Sequence, residues 1–340
     1  MRRRIFRFPA ALCLALVSAG TAGADLTPPM GVSAENQPDH VQARFVRRFA
    51  DELREAAGDR LDVRFFDQAR LFRGADVIYA LRQGRVEMAV PGSRHPGRAV
   101  PDANLFLLPA FYARPPALAH RLREGPLGRE LDARLETVLN VHVVGGRLGL
   151  GHANLFGVRR PPRRHEDIAG LRVPIAGGPA NAGRIELLGG VPVSLPWPDL
   201  PAWLDRGAVD GILTTPATVV SARLREHGVT SGFLDRQYFP QYVPPIAGPF
   251  WARLSPALRD LIRRIWDGLA ADQRAAAAED QRAALDALQA QGLRLARPEE
   301  DVFPSWRERM LPRQAEIAAE LQIDPSMYRR ATAAIQASDG

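Results

Sequence analysis

The chain has 340 residues, 46% of them hydrophobic, with 45 arginines, no lysine, a single cysteine and a formal charge of +7. Without lysine there is no Schiff base to a cofactor, no P-loop lysine and no lysine general base. The arginines are interleaved with acids along the chain, so nothing in the charge points to DNA or RNA.

Arg2, Arg3, Arg4 and Arg7 precede a short apolar stretch over 10–17, and Ala22-Gly23-Ala24 follows as an A-x-A cleavage site. These features predict a signal peptide over 1–24, export, and a mature chain beginning at Asp25. The apolar stretch is well short of the roughly 20 residues a spanning helix needs. Cys13, the only cysteine, lies inside it without a lipoprotein pattern around it. The mature chain therefore has no disulfide and no thiolate nucleophile, and the +7 less the four arginines of the signal leaves +3.

Residues 26–32 read as a first strand, and Pro38 or Asp39 opens a helix with Val41, Phe45, Phe49 and Leu53 at helical spacing. Residues 61–66 alternate as a strand does. Residues 76–90 (DVIYALRQGRVEMAV) then match 199–213 (DLPAWLDRGAVDGIL) without a gap, sharing Asp, Leu, Gly and Val. Each copy reads as a helix that stops at Gly84 or Gly207 and turns into a buried strand. The alternation β-α-β-α-β over 26–90 predicts α/β layers on a largely parallel sheet. Two copies predict two similar lobes with a cleft between them, and the segments after the strands line such a cleft. Further strands are expected at 141–144, 171–175 and 191–195. Ser255 caps the longest regular element, with Pro256 at its first position and Gly292 as its stop. An unbroken helix there would be about 57 Å long, enough to lie across both lobes; a bend near Ala271 is the other possibility.

The seven histidines (His40, His95, His120, His142, His152, His165 and His227) show no metal-binding spacing and read as surface or hydrogen-bonded residues. No nucleophile elbow or phosphate loop is present. These absences argue against an enzyme and against a cofactor.

The segments that leave the repeated strands give the candidate ligand contacts. They are Ser93 and Arg94 after the first copy, and Thr214 and Thr215 after the second. Glu35, Asn36 and Gln37 follow the first strand and face the same cleft or serve as turn and cap residues. Glu35 would suit an amine or hydroxyl on the ligand, and Arg94 a carboxylate. Tyr238 and Phe239 enter a crossover back to the first lobe, where they stack on a ligand or pack in the core. Trp197 and Trp203 read as packing residues.

Several ordered stretches resemble the DctP-type solute-binding proteins of TRAP (tripartite ATP-independent periplasmic) transporters. They are QARLFRGADVIYALRQGRVEMA (68–89), LLPAF (107–111), EDIAGLRV (166–173), LGGVPV (188–193), LDRGAVDG (204–211) and FWARLS (250–255). The resemblance implies a periplasmic receptor of two α/β lobes, spanned by the long helix. Such a receptor closes on a small ligand as a monomer and delivers it to the small and large permease subunits. It places Gln68 and Asn154 among the ligand contacts. It divides the chain into a first lobe of 25–149 plus 238–275 and a second of 150–237 plus 276–340. The family's carboxylate-binding arginine aligns with Pro174, and Arg172 falls on its lysine. Either Arg172 takes over the ionic role or the carboxylate clamp is gone and the ligand is neutral or bound elsewhere. A periplasmic sensor with the same fold is the second functional reading.

Overall fold

The computed structural model describes residues 27–175 and 178–338; the signal segment with Cys13 lies outside them. The chain opens with β1 (Pro29–Ala34) and α1 (Val41–Ala57). His40 caps α1, its ring accepting the Gln42 N–H. Then follow β2 (Asp62–Phe66), α2 (Asp76–Arg82) and β3 (Met88–Val90). Gly84, between α2 and β3, has φ +66°, and Gly207 in the second copy has φ +65°. Both matched glycines therefore end their helices in the left-handed region, where a side chain is strained. Two helices, α3 (Pro116–Glu124) and α4 (Pro126–Leu139), lead to β4 (Val141–Val143).

The chain leaves the first lobe through β5 (Leu148–Gly149) and enters the second at β6 (Ala153–Gly157). There β7 (Arg172–Pro174), α5 (Pro179–Leu187), β8 (Val191–Val193), α6 (Leu200–Asp205), β9 (Gly211–Thr214), α7 (Pro216–Ser221) and β10 (Ser231–Tyr238) follow. It returns through β11 (Gln241–Tyr242) to β12 (Pro245–Ala247), α8 (Gly248–Arg253) and α9 (Pro256–Ala290). The tail comprises β13 (Arg294–Ala296), α10 (Val302–Met310), α11 (Gln314–Glu320) and α12 (Pro325–Gln336).

The first lobe is built on a sheet ordered β2-β1-β3-β12-β4, the second on one ordered β13-β10-β6-β9. In the first, β1 pairs in parallel with β2 and β3, as the β-α-β-α-β reading requires. β12 runs antiparallel to β3 and β4. In the second lobe β6 runs antiparallel to both β10 and β9. The expected largely parallel sheet thus holds for β1–β3 and not for the second lobe. There β6 and β10, where the chain crosses between the lobes, run antiparallel, while β7 pairs in parallel with β8 across α5 and β10 with β13. Each sheet has a core on both faces. Met30, Val32 and Val63 pack with α1 and α9 on one side of the first. Ala89 and Val141 pack with α2 and α4 on the other. Leu155 and Phe156 point to opposite cores of the second sheet. The division expected from the sequence places the C-terminal helices in the second lobe; Ile317 of α11 and Met327 and Ile335 of α12 share a core with Leu131 and Leu135 of α4.

The lobes are joined by a two-stranded antiparallel ribbon, Leu148 opposite Tyr242 and Gly149 opposite Gln241. Along it runs α9, one unbroken helix of 35 residues, about 52 Å long. The bend near Ala271 is absent. Arg44 of α1 pairs with Asp280 of α9 at 2.7 Å. On the second lobe the Ala217 N–H, at the start of α7, donates to Gln281 of α9 at 3.0 Å. Gln273, fully buried on α9, holds the ribbon itself: its Oε1 accepts the Gly149 N–H and its Nε2 donates to the Gly149 carbonyl. No helix among the described residues is long and apolar enough to cross a membrane. Gly268 sits in the interior of α9 with nothing near the position of a Cβ. Gly268→Ala is therefore expected to stabilise the protein by about 0.5–1 kcal/mol, read as an upward shift of the urea midpoint without a change in slope.

Candidate functional site

The ends of β1 and β3 lie side by side in the first sheet, with Ala34 opposite Val90, so the residues that follow them meet. Glu35 faces the turn at 91–95. Its Oε2 accepts the Gly92 N–H at 2.9 Å, and its Oε1 lies 3.0 Å from His95 Nε2 and pairs with the Arg94 guanidinium. A Cβ on Gly92 would sit 3.3 Å from the Glu35 carboxylate and closer still to Arg94, so any side chain there would push the Arg94 guanidinium aside. Burial alone would raise the Glu35 carboxyl. Arg94, His95 and the Gly92 N–H together outweigh it and hold the group well below the usual carboxylate range. Next to it the Asn36 amide donates to the Tyr242 hydroxyl at 2.9 Å and to Gln42 at 3.1 Å. Ser93 donates its N–H to the Gln241 carbonyl at 2.7 Å. Tyr238 is buried, and burial pushes its hydroxyl up to about 12 against the opposing effect of Arg94 and Arg184.

The second lobe closes over this cluster. Gly178, before α5, lies 3.6 Å (measured from a Cβ built on it) from Arg94. Thr215 caps α7, and its hydroxyl is 2.8 Å from that of Thr218. The Thr218 hydroxyl in turn lies 3.2 Å from His40 Nε2, across the lobes. Burial, with Arg44 nearby, drives His40 down to about 3. The ring is therefore neutral, and because its Nδ1 accepts from Gln42, its Nε2–H donates to Thr218. Between the lobes remains a cavity of about 370 Å³. Glu35, Gln68 and Arg73 line it from the first lobe, Trp197, Pro201 and Leu224 from the second. Gln68 and Ala69 both carry positive φ, +55° and +51°. This left-handed pair places Gln68 in the cleft wall.

Glu35, Asn36, Ser93, Arg94 and Tyr238 thus form one cluster, Gln68 joins Glu35 in the cavity wall, and Thr214 and Thr215 come from the facing lobe. Two other candidates stand apart. Arg172 is half-exposed and forms a bidentate pair with Asp210 through Nε and Nη2 (2.7 and 2.9 Å), and Nη2 also donates to the Gly207 carbonyl. Asn154 bonds the His152 carbonyl and the Arg236 N–H. It faces a different and larger cavity, about 530 Å³, walled by β6, β10, α9 and the segment before α10. That cavity draws nothing from the first strands of the first lobe, so closing the lobes does not enclose it. Of the aromatics, Phe239 packs edge-on against His120 and His152, whereas Trp197 lines the cleft.

Sequence reasoning passed over Arg184 and Asn181, fully buried on one face of α5. Arg184 donates to the Leu107 and Gln237 carbonyls, while its Nε and both polar atoms of the Asn181 amide have no partner. Burial lowers Arg184 to about 10 and raises nearby Asp235 to about 7. Orphaned polar atoms in so dry a place are uncommon in native proteins. No group of three or more metal-ligating side chains occurs among the described residues.

The chain is 24% identical over 265 residues, 77% of each chain, to the 2,3-diketo-L-gulonate-binding periplasmic protein YiaO of Escherichia coli. Its fold matches the sugar acid binding protein DctPAm of Advenella mimigardefordensis in complex with galactonate. The TM-score is 0.84 and the identity 18%, covering 92% of this chain and 99% of that one. It also matches a TRAP periplasmic solute-binding protein of Sulfurospirillum deleyianum with bound succinate, at TM-score 0.82 and 18% identity, covering 91% and 99%. These likenesses confirm the two-lobe architecture. The family model DctP, bacterial extracellular solute-binding protein, family 7, matches residues 32–321, and the chain therefore belongs to that family of periplasmic solute receptors.

Proposed function

We propose that the protein is the periplasmic receptor subunit of a TRAP transporter, that it binds a small hydroxylated carboxylate in the cavity between its lobes, and that it carries out no chemistry on it. The observation that supports this most is the Glu35–Arg94–His95 cluster, whose Glu35 reaches the wall of a cavity to which both lobes contribute. A guanidinium carries five N–H donors, so Arg94 keeps donors for a ligand carboxylate while paired with Glu35. Glu35 and Gln68 are acceptors for ligand hydroxyls, and Trp197 offers an apolar face. The relatives named above bind sugar acids or a dicarboxylate, which favours transport of an acid over sensing. Export by a cleaved signal, action as a monomer and delivery to the two permease subunits belong to the same reading.

Thermal denaturation with galactonate, succinate and neutral galactose tests it. A ligand that binds only the folded state raises Tm with concentration. One of the acids should do so and galactose should not. The shift should disappear in Arg94→Gln and persist in Arg172→Ala, because Arg172 is already committed to Asp210. A shift with galactose equal to that with the acids, or one untouched by Arg94→Gln, would sink the proposal.

A further inference from the structure

A third cavity, about 180 Å³, lies behind the ribbon that joins the lobes, between α3, α4, α9 and the turn after β4. Its wall carries four arginines (Arg123, Arg129, Arg147 and Arg274) against two acids, Glu124 and Asp132. Arg147 pairs with Asp132, and Arg274 with Glu124. The charges of Arg123 and Arg129 are left without a carboxylate of their own; Arg129 donates to the Glu124 backbone carbonyl at 2.9 Å. Arg123 is 5% exposed and Arg147 7%, and the partial compensation available to Arg123 is the face of Phe106, 3.8 Å from its guanidinium carbon. His120, the remaining titratable group of the wall, is pushed down to about 4 by burial and by Arg274 and adds no charge.

The wall is also short of hydrogen-bond partners. Twelve buried side-chain atoms among the described residues have none, and five belong here: both polar atoms of Gln241 and the Nε atoms of Arg123, Arg147 and Arg274. A buried amide with neither atom satisfied costs as much as a lost hydrogen bond on each side. Two buried guanidiniums near one another cost more. A doubly charged anion in the cavity relieves much of this, because it neutralises the surplus of two positive charges and accepts from the Gln241 Nε2–H and the unpartnered guanidinium N–H groups.

We propose that this cavity is a binding site for a small tetrahedral oxyanion, inorganic phosphate or sulfate, held by Arg123, Arg147 and the Gln241 amide with Arg129 at its mouth. It is separate from the ligand cleft, and the inference stands whether or not the cleft takes a carboxylate. Gln241 connects the two: its side chain lines this cavity while its backbone carbonyl accepts the Ser93 N–H beside Arg94. The ion thus sits against the hinge ribbon and fixes one of its two strands.

The test is Tm of the purified protein in phosphate and in sulfate, each against chloride at equal ionic strength. Phosphate or sulfate should raise Tm and chloride should not. The apparent affinity should fall about tenfold or more in Arg123→Gln and in Arg129→Gln, the loss of a charge-assisted hydrogen bond. Arg129 is exposed, so its variant folds and decides the matter if Arg123→Gln does not. Arg73→Gln, in the cleft wall, should keep the full shift. No shift beyond that of chloride, a shift that survives Arg129→Gln, or one lost in Arg73→Gln would overturn the proposal; the last would place the ion in the cleft.

Discussion

Replacing Arg94 by alanine is expected to lower the unfolding free energy by about 3–5 kcal/mol at pH 7, the cost of leaving one partner of a buried ion pair alone. Glu35 and Arg94 are both largely buried, so water does not replace the lost cation. In the native protein the Glu35 carboxyl is held well below its ordinary value. Its contribution is therefore complete above the unfolded value, near pH 4, and is lost only as the pH falls through the much lower folded one. In Arg94→Ala the opposing burial effect takes over and the carboxyl rises instead. The variant then binds a proton more readily folded than unfolded and recovers stability as the pH is lowered. Urea unfolding of both proteins at pH 7 and pH 4.5 should show the gap narrowing at the lower pH. A second variant, Arg94→Ala with Glu35→Gln, should lose less than the sum of the two single changes. A gap under 1 kcal/mol at pH 7 would mean that solvent reaches Glu35 freely.

The second large effect is expected at Trp266. This side chain is 2% exposed, meets Phe49 edge-on at 5.2 Å and donates its indole N–H to the Gly146 carbonyl at 2.7 Å. It joins three parts of the first lobe: α9, α1 and the turn that leads into the hinge ribbon. Trp266→Ala should cost about 3–5 kcal/mol through the cavity it leaves. Trp266→Phe keeps a ring against Phe49, forfeits the hydrogen bond, and should cost about 1–2 kcal/mol. Equilibrium denaturation distinguishes the two; equal losses would mean that the hydrogen bond, and not the packing, carries the stability.

What the sequence shows and what it hides divide along physical lines. The matched glycines at 84 and 207, the strands that follow them and the capped helix from Ser255 are local features, each set by a residue's own conformational preference. They appear in the structure where the pattern put them. Strand direction in the second lobe is not local: β6 is flanked by β9 and β10, and nothing in Ala153–Gly157 states which way its neighbours run. The site divides in the same way. Glu35 and Arg94 follow strands that pair, so their meeting could be read from the β-α-β-α-β order. Arg172 was attractive as a cation on the right strand, but its partner Asp210 lies 38 residues away. Arg184 and Asn181 look like the polar face of an ordinary helix. Only the approach of Leu107 and Gln237 buries them.

Gln273 has a consequence for how such a receptor moves. Its amide grips both polar atoms of one residue, Gly149, in the strand that leaves the first lobe. A strand held at a single residue by a helix running its whole length can twist about that point but cannot slide past it. Opening is then a rotation about a fixed axle, not a shear, and the conformational change falls on the linkers either side of the ribbon. The proposed membrane partner would then have one quantity to sense, the angle between two surfaces, and occupancy of the cleft would be reported as a single degree of freedom.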